Sequence, residues 1–229
     1  RYKNVTSYIP GEIIKEVNGK SMSLLEFFVH SPFKDSLVEG RAEADKNATS
    51  IVMQARFKYT STATQPSALY LFGGDADHYI WKEIQEQCTA HDNDDKLNFD
   101  IFMAPHHCSW TYFNNVPYMN GETDKPVESS KTMIKDHKTN GAVIIASSKQ
   151  IKKEKDNPPH HQSKEEYVKL IGADKFISLA EEPDSKKPKP VVYEVTSSGF
   201  LRKDKNQQKG STGAAIGSSS TSGRKSAYG

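Results

Sequence analysis

The chain has 229 residues, with 31 basic side chains against 29 acidic ones and a formal net charge of +2. That balance excludes a polybasic nucleic-acid coat and an acidic solvating segment as descriptions of the whole chain. Hydrophobic residues make up only 35%, and adding the 14 glycines still leaves the apolar share under the roughly 45–50% of ordinary globular chains, so part of the sequence is expected not to pack.

In chain order, Ser23 to His30 (SLLEFFVH) is a compact apolar run between Gly19 and Pro32 and reads as the first strand. Ser50 to Tyr59 (SIVMQARFKY) alternates and is the second, after a polar connection from Phe33 to Asn47. Ser67 to Phe72 is a third strand, ended by Gly73-Gly74-Asp75. Tyr79, Ile80, Glu83, Ile84 and Gln87 then recur at near-helical spacing over Asp77 to Gln87. Phe99 to Ala104 is a buried strand stopped by Pro105. Thr132 to Lys138 predicts a short helix, Ala142 to Ala146 a dense strand and Ser163 to Leu170 a helix ended by Gly172. Lys175 to Leu179 and Val191 to Thr196 read as two short closing strands. Strands first, then alternating helix and strand, predict an α/β (α+β) domain over residues 1–202. From Lys203 onward, Ile216 and Tyr228 are the only sizeable apolar side chains, so 203–229 is expected to be a flexible basic Gly/Ser-rich tail.

Two cysteines, Cys88 and Cys108, are too few for a disulfide framework and form no CxxC pair. They favour a reducing, cytoplasmic setting. No run of about 18 apolar residues and no apolar leader in the first ten residues is present, so no membrane span or export signal is expected.

Three polar clusters fall where strands end: Gly74-Asp75-Ala76-Asp77-His78, Pro105-His106-His107-Cys108-Ser109, and Asn157-Pro158-Pro159-His160-His161. Strand ends and the loops after them are where α/β proteins bind ligands. Carboxylate oxygen and neutral imidazole nitrogen are also the donor set of zinc, manganese or iron. Each cluster has a plainer reading as well. Asp75 or Asp77 after Gly-Gly is equally an N-cap of the following helix. Cys108 is a soft ligand, a reactive thiol or a small buried hydrophobe. The histidines past the Pro-Pro pair sit in a Lys-rich region and read equally as solvated surface. His30, His91 and His137 stand alone and are read as structural or exposed.

The succession Asn47-Ala-Thr-Ser50, Leu69-Tyr-Leu-Phe-Gly-Gly-Asp75-Ala, Met103-Ala-Pro-His106-His107-Cys-Ser109 and Asn157 to His160 resembles the second half of a metallo-β-lactamase-fold hydrolase. The branch it is similar to is that of the hydrolase domain of the competence protein ComEC, with its "N..S" strand, "GDA" turn, "HHGS" motif and "N.xGHP"-like loop. The resemblance spans roughly Ser23 to Phe200. Cys108 replaces the glycine of "HHGS", and Pro159 stands where a glycine is usual. The family's H-x-H-x-D-H motif occurs nowhere in the sequence, so the chain is expected to be the later part of a longer or cleaved protein, or a degenerate copy.

The resemblance implies a four-layered αββα sandwich of two similar halves, with one or two divalent metal ions, zinc or manganese, in the cleft between them. It implies Asp75 and His106 as metal ligands, His107 as a ligand, orienting group or proton donor, and Asp77, His78, Ser109 and His160 at the cleft. The implied chemistry is hydrolysis of phosphodiester bonds in nucleic acid or nucleotide, in which the metal lowers the pKa of bound water to about 7 and polarises the scissile group. The implied partners are a half or chain carrying H-x-H-x-D-H and a nucleic acid, steered by the basic stretches Lys149 to Lys155 and Lys186 to Lys189. The competing expectation is a non-catalytic interaction module that pairs with a partner chain.

Overall fold

The computed structural model describes residues 6–34, 46–114, 125–153 and 157–203. The expected tail, from residue 204 on, lies outside the described residues, as do Lys155 and most of the polar connection from 33 to 47.

A seven-stranded mixed sheet organises the chain. Its outermost strand β1 (Ile13–Ile14) is followed by a small hairpin of β2 (Glu16–Val17) and β3 (Lys20–Ser21). The sheet continues through β4 (Leu25–Ser31), β5 (Val52–Phe57), β6 (Ala68–Phe72), β7 (Phe99–Met103), β8 (Lys138–Ala146) and β9 (Phe176–Ser178). Spatial order follows chain order from β4 to β9. Pairing is antiparallel as far as β6 and parallel from β6 to β9. Each parallel step needs a crossover, supplied by helices α1 (His78–Ala90), α2 (Glu128–His137) and α3 (His161–Ile171). Crossovers of one hand, advancing in one direction across the sheet, deposit all three helices on the same face.

That face holds the core. Trp81 and Ile84 of α1, Met133 and Ile134 of α2, and Tyr167 of α3 pack with Leu71, Phe102 and Ile144 of the sheet in one buried cluster. Trp81 meets Phe102 edge-on at 5.3 Å, and Tyr112 stacks on Tyr167 at 5.7 Å. A buried polar chain lies on β4 and β5, where the Arg56 guanidinium donates to Glu26 (3.1 Å) and Gln54 (2.7 Å), and the Gln54 amide donates to the Asn98 carbonyl (2.7 Å).

The opposite face is also apolar. Strand register aligns Val29, Met53, Phe72, Met103, Ile145 and Ile177 in one row, and Phe27, Ala55, Tyr70, Ile101 and Val143 in the next. It carries a smaller buried cluster of Ile101, Ile145 and Ile177. The cover is a hairpin of β10 (Tyr193–Thr196) and β11 (Gly199–Arg202), whose Phe200 meets Phe57 at 5.4 Å. Met53, Phe72, Tyr70 and Phe27 stay half-buried.

Several expectations need correction. The first strand is β1 at Ile13–Ile14 rather than the run from Ser23, because β1 adds an edge to β4. Helix α2 starts at Glu128, four residues before Thr132, and strand β8 starts at Lys138, before Ala142. The segment Val191 to Thr196 does not close the main sheet but pairs with β11 in its own hairpin.

Candidate functional site

The carboxyl ends of β6, β7 and β8 point the same way, and the three polar clusters meet there. The two glycines after β6 set the geometry. A Cβ on Gly73 would lie 2.6 Å from the Met103 carbonyl oxygen and 2.7 Å from Pro105 Cγ; one on Gly74 would lie 2.6 Å from the Ile51 carbonyl oxygen. Gly74 also takes φ +53°, a left-handed value that glycine adopts without steric cost. These absences of side chains let the turn close until the His106 amide donates to the Gly74 carbonyl at 2.9 Å. One backbone hydrogen bond thus ties the Asp75 loop to the His106 loop.

After Pro105 the chain turns left-handed for three consecutive residues that are not glycine: His106 (φ 46°, ψ 50°), His107 (φ 55°, ψ 39°) and Cys108 (φ 68°). Each costs about 1–2 kcal/mol for an L-residue, so the surrounding structure has to hold the turn. The Ser109 amide donates to the Pro105 carbonyl (3.3 Å) and the His160 amide to the Cys108 carbonyl (3.0 Å). The Trp110 amide donates to Nδ1 of His160 (2.9 Å), and the Ser163 hydroxyl donates to the Ser109 carbonyl (3.0 Å). Backbone strain collected on a His-His pair and locked from several sides is characteristic of functional loops.

The side chains differ in how committed they are. Asp75 is half-buried, and among the described residues no hydrogen bond or ion pair engages its carboxylate. His106 is half-buried, and its Nδ1 is buried without a hydrogen-bond partner. His107 is exposed and donates Nδ1–H to the Ser147 carbonyl at 2.7 Å, which orients its ring through a backbone acceptor. Because Nδ1 of His160 accepts an amide proton, that ring is held in the Nε2–H tautomer. Burial, and then the neighbouring His106 imidazole, push the His160 pKa down. The His160 amide bond to the Cys108 carbonyl joins the third cluster to the second.

Other expected cleft residues have structural duties. Asp77 caps α1, its Oδ1 accepting from the amides of Tyr79 (3.0 Å) and Ile80 (3.1 Å); it is not a free cleft carboxylate. Ser109 is buried, and its Oγ accepts from the amide (3.3 Å) and hydroxyl (3.1 Å) of Thr111, so it caps the next turn instead of lining a cleft. His78 is buried at the start of α1 with Nε2 unpartnered, its ring 4.0 Å from that of Tyr79. Cys108 is fully buried, and burial pushes its thiol up to about 12, so it is a packed hydrophobe and not a reactive thiolate. The lone histidines divide: His30 is buried, His91 exposed.

Sequence reasoning missed the supports. Ser147, Trp110 and Ser163 act through a carbonyl, an amide and a hydroxyl from distant segments, and no local pattern marks them. It also missed a cleft of about 780 Å³ near the β1 edge, lined in part by Tyr8, Phe28, His30, Ile84 and Cys88. Its buried histidine is already engaged. Nε2–H of His30 donates to the Lys96 carbonyl (3.1 Å) and Nδ1 lies 3.6 Å from Cys88 Sγ. The chemistry-bearing loops lie elsewhere, at the carboxyl ends of the parallel strands.

As a metal centre the strand-end site is a part-set. The unengaged Asp75 carboxylate and the orphaned buried Nδ1 of His106 suit a divalent cation, yet among the described residues no three His, Cys, Asp or Glu side chains are grouped to hold one. A catalytic zinc needs about three protein ligands. Comparison with family models, with curated proteins and with solved structures finds no match to this chain. Among the described residues no helix is long and apolar enough to cross a membrane.

Proposed function

We propose that the chain is the later half of a metal-dependent hydrolase of the metallo-β-lactamase type, related to the ComEC-like branch, acting on phosphodiester bonds in nucleic acid or nucleotide. The observation that carries this reading is the hydrogen bond from the His106 amide to the Gly74 carbonyl, which unites a "GDA" turn and a strained His-His turn at the ends of parallel strands. In this reading Asp75 and His106 hold one or two zinc or manganese ions together with an H-x-H-x-D-H segment supplied by another part of the protein or by a partner chain. The bound metal would supply a nucleophile at neutral pH and polarise the scissile phosphoryl group. The chain's own residues do the rest. His107, fixed by the Ser147 carbonyl, presents its outer ring edge toward solvent as an orienting or proton-donating group. His160 buttresses the turn from behind through the Trp110 amide. Lys149, Lys152 and Lys153, which follow Ser147, attract a polyanion.

The half-covered apolar face of the sheet supports the two-sheet arrangement. A row such as Val29, Met53, Phe72, Met103, Ile145 and Ile177 is what a second sheet packs against in a sandwich. A second reading, a non-catalytic pairing module, is favoured by one observation, the lack of a three-ligand group among the described residues. Phosphodiesterase assays on the longest natural form of the protein, with added zinc or manganese, separate the two. The hydrolase reading expects cleavage that Asp75→Ala and His106→Ala abolish and Asp77→Ala, refolded to the same extent, retains. Cleavage that survives both of the first two variants sinks it.

A further inference from the structure

We infer that Tyr79 forms a stacking platform for an unpaired nucleobase at the rim of the Asp75–His106 site. The inference rests on the phosphodiesterase reading of that site and names the form of its substrate, a single strand. Tyr79 is 52% exposed and Ile51 60% exposed, and both border the same turn. The Ile51 carbonyl packs on Gly74, and Tyr79 follows Asp75 by four residues with its amide fixed on the Asp77 carboxylate at 3.0 Å. The His78 ring, 4.0 Å away and tilted by 36°, backs the phenol ring from the buried side.

An exposed tyrosine or isoleucine alone is ordinary on a protein surface. Here both border the turn whose Asp75 carboxylate no described residue engages, and the tyrosine sits against an aromatic neighbour at a helix start whose amide is held by the Asp77 cap. Such a fixed, half-exposed ring offers a flat face at little ordering cost. Across the strand ends the other flank is basic: Lys149, Lys152 and Lys153 follow Ser147, the residue that accepts from His107. From β6 to β8 is two strand spacings, roughly 10 Å, so a strand with a base on Tyr79 carries its neighbouring phosphates past His106 and His107 toward the lysines. A duplex keeps its bases stacked on one another and presents no base face to the ring, whereas single strands are held by stacking on aromatic side chains.

The test is fluorescence anisotropy of a labelled short oligothymidylate with this chain at low salt and without metal. Tyr79→Ala weakens binding about ten-fold, Tyr79→Phe leaves it within about two-fold, and a duplex of equal length binds more weakly than the single strand. Equal melting curves show that the variants fold. No binding by the unaltered chain, equal binding by Tyr79→Ala, or equal binding of the duplex each overturns the platform. Tyr79-dependent binding in a protein without metal-dependent cleavage removes the hydrolase reading and keeps the platform. Cleavage with no Tyr79 dependence does the reverse.

Discussion

Asp77 and Asp75 stand two positions apart on one turn, and the structure gives them opposite work. Asp77 spends both acceptor contacts on the first amides of α1, whereas no described residue engages Asp75. Loss of an N-cap costs about 1 kcal/mol, so Asp77→Ala is expected to lower unfolding stability by that amount in urea titration, with Asp77→Asn recovering most of it. A change several times larger would mean that Asp77 holds more than a helix end. His30 offers a second residue-scale check. Burial, only partly offset by its bond to the Lys96 carbonyl, drops its pKa from 6.5 to about 4. The fold therefore prefers the neutral ring: its contribution is complete above pH 6.5 and is lost progressively as pH falls toward 4. That difference corresponds to about 3 kcal/mol. The stability lost between pH 7 and pH 4 should shrink by an amount of this order in His30→Phe. An unchanged loss would assign the acid sensitivity to other groups.

At the scale of elements, the decisive feature is the closeness of the β6 and β7 ends. Gly73 has no space for a methyl group between Met103 and Pro105. Overpacking of this kind costs about 1–3 kcal/mol, so Gly73→Ala is expected to destabilise by that much and to shift the His106 and His107 ring resonances in NMR spectra, since the strain passes directly to the turn they occupy. Unmoved resonances at equal stability would show that the two loops are not mechanically joined. The same region shows what a linear sequence discloses. Helix α1 was legible because the Asp77 cap, Ile80 and Ile84 are all local, although it runs on to Ala90, past the expected end at Gln87. β7 and β8 were legible as dense apolar runs. The start of α2 was not, since Ser130 is held by a distant partner: its hydroxyl donates to the Tyr112 carbonyl (2.6 Å), and the Tyr112 hydroxyl donates back to the Ser130 carbonyl (3.1 Å). β1 and β11 were missed for a related reason. Each is short and for the most part only half-buried, and exists as a strand through its partner: β1 beside β4, β11 beside β10. At the site, Asp75, His106 and His160 were visible as residue types at strand ends. The left-handed turn was not, because its three residues have no local preference for it; Ser109, Ser163, Trp110 and His160 impose it through tertiary hydrogen bonds.

For the whole molecule, an α/β sheet has one face closed by three helices and the other covered over part of its width by a two-stranded hairpin. The site sits at the carboxyl ends of the parallel strands, and in the proposed reading its donors are a share of a metal centre. The proposed function accounts for the half-covered face and the partial donor set together, by placing the remaining ligands on another segment or chain. The central claim is that Asp75 and His106 bind metal there, and metal content measures it directly. Elemental analysis of the longest natural form of the protein, purified without chelator, is expected to give one or two zinc or manganese ions per chain, with most of that metal lost in Asp75→Ala and in His106→Ala while both variants keep the native circular dichroism. Metal content unchanged in both variants would contradict the account.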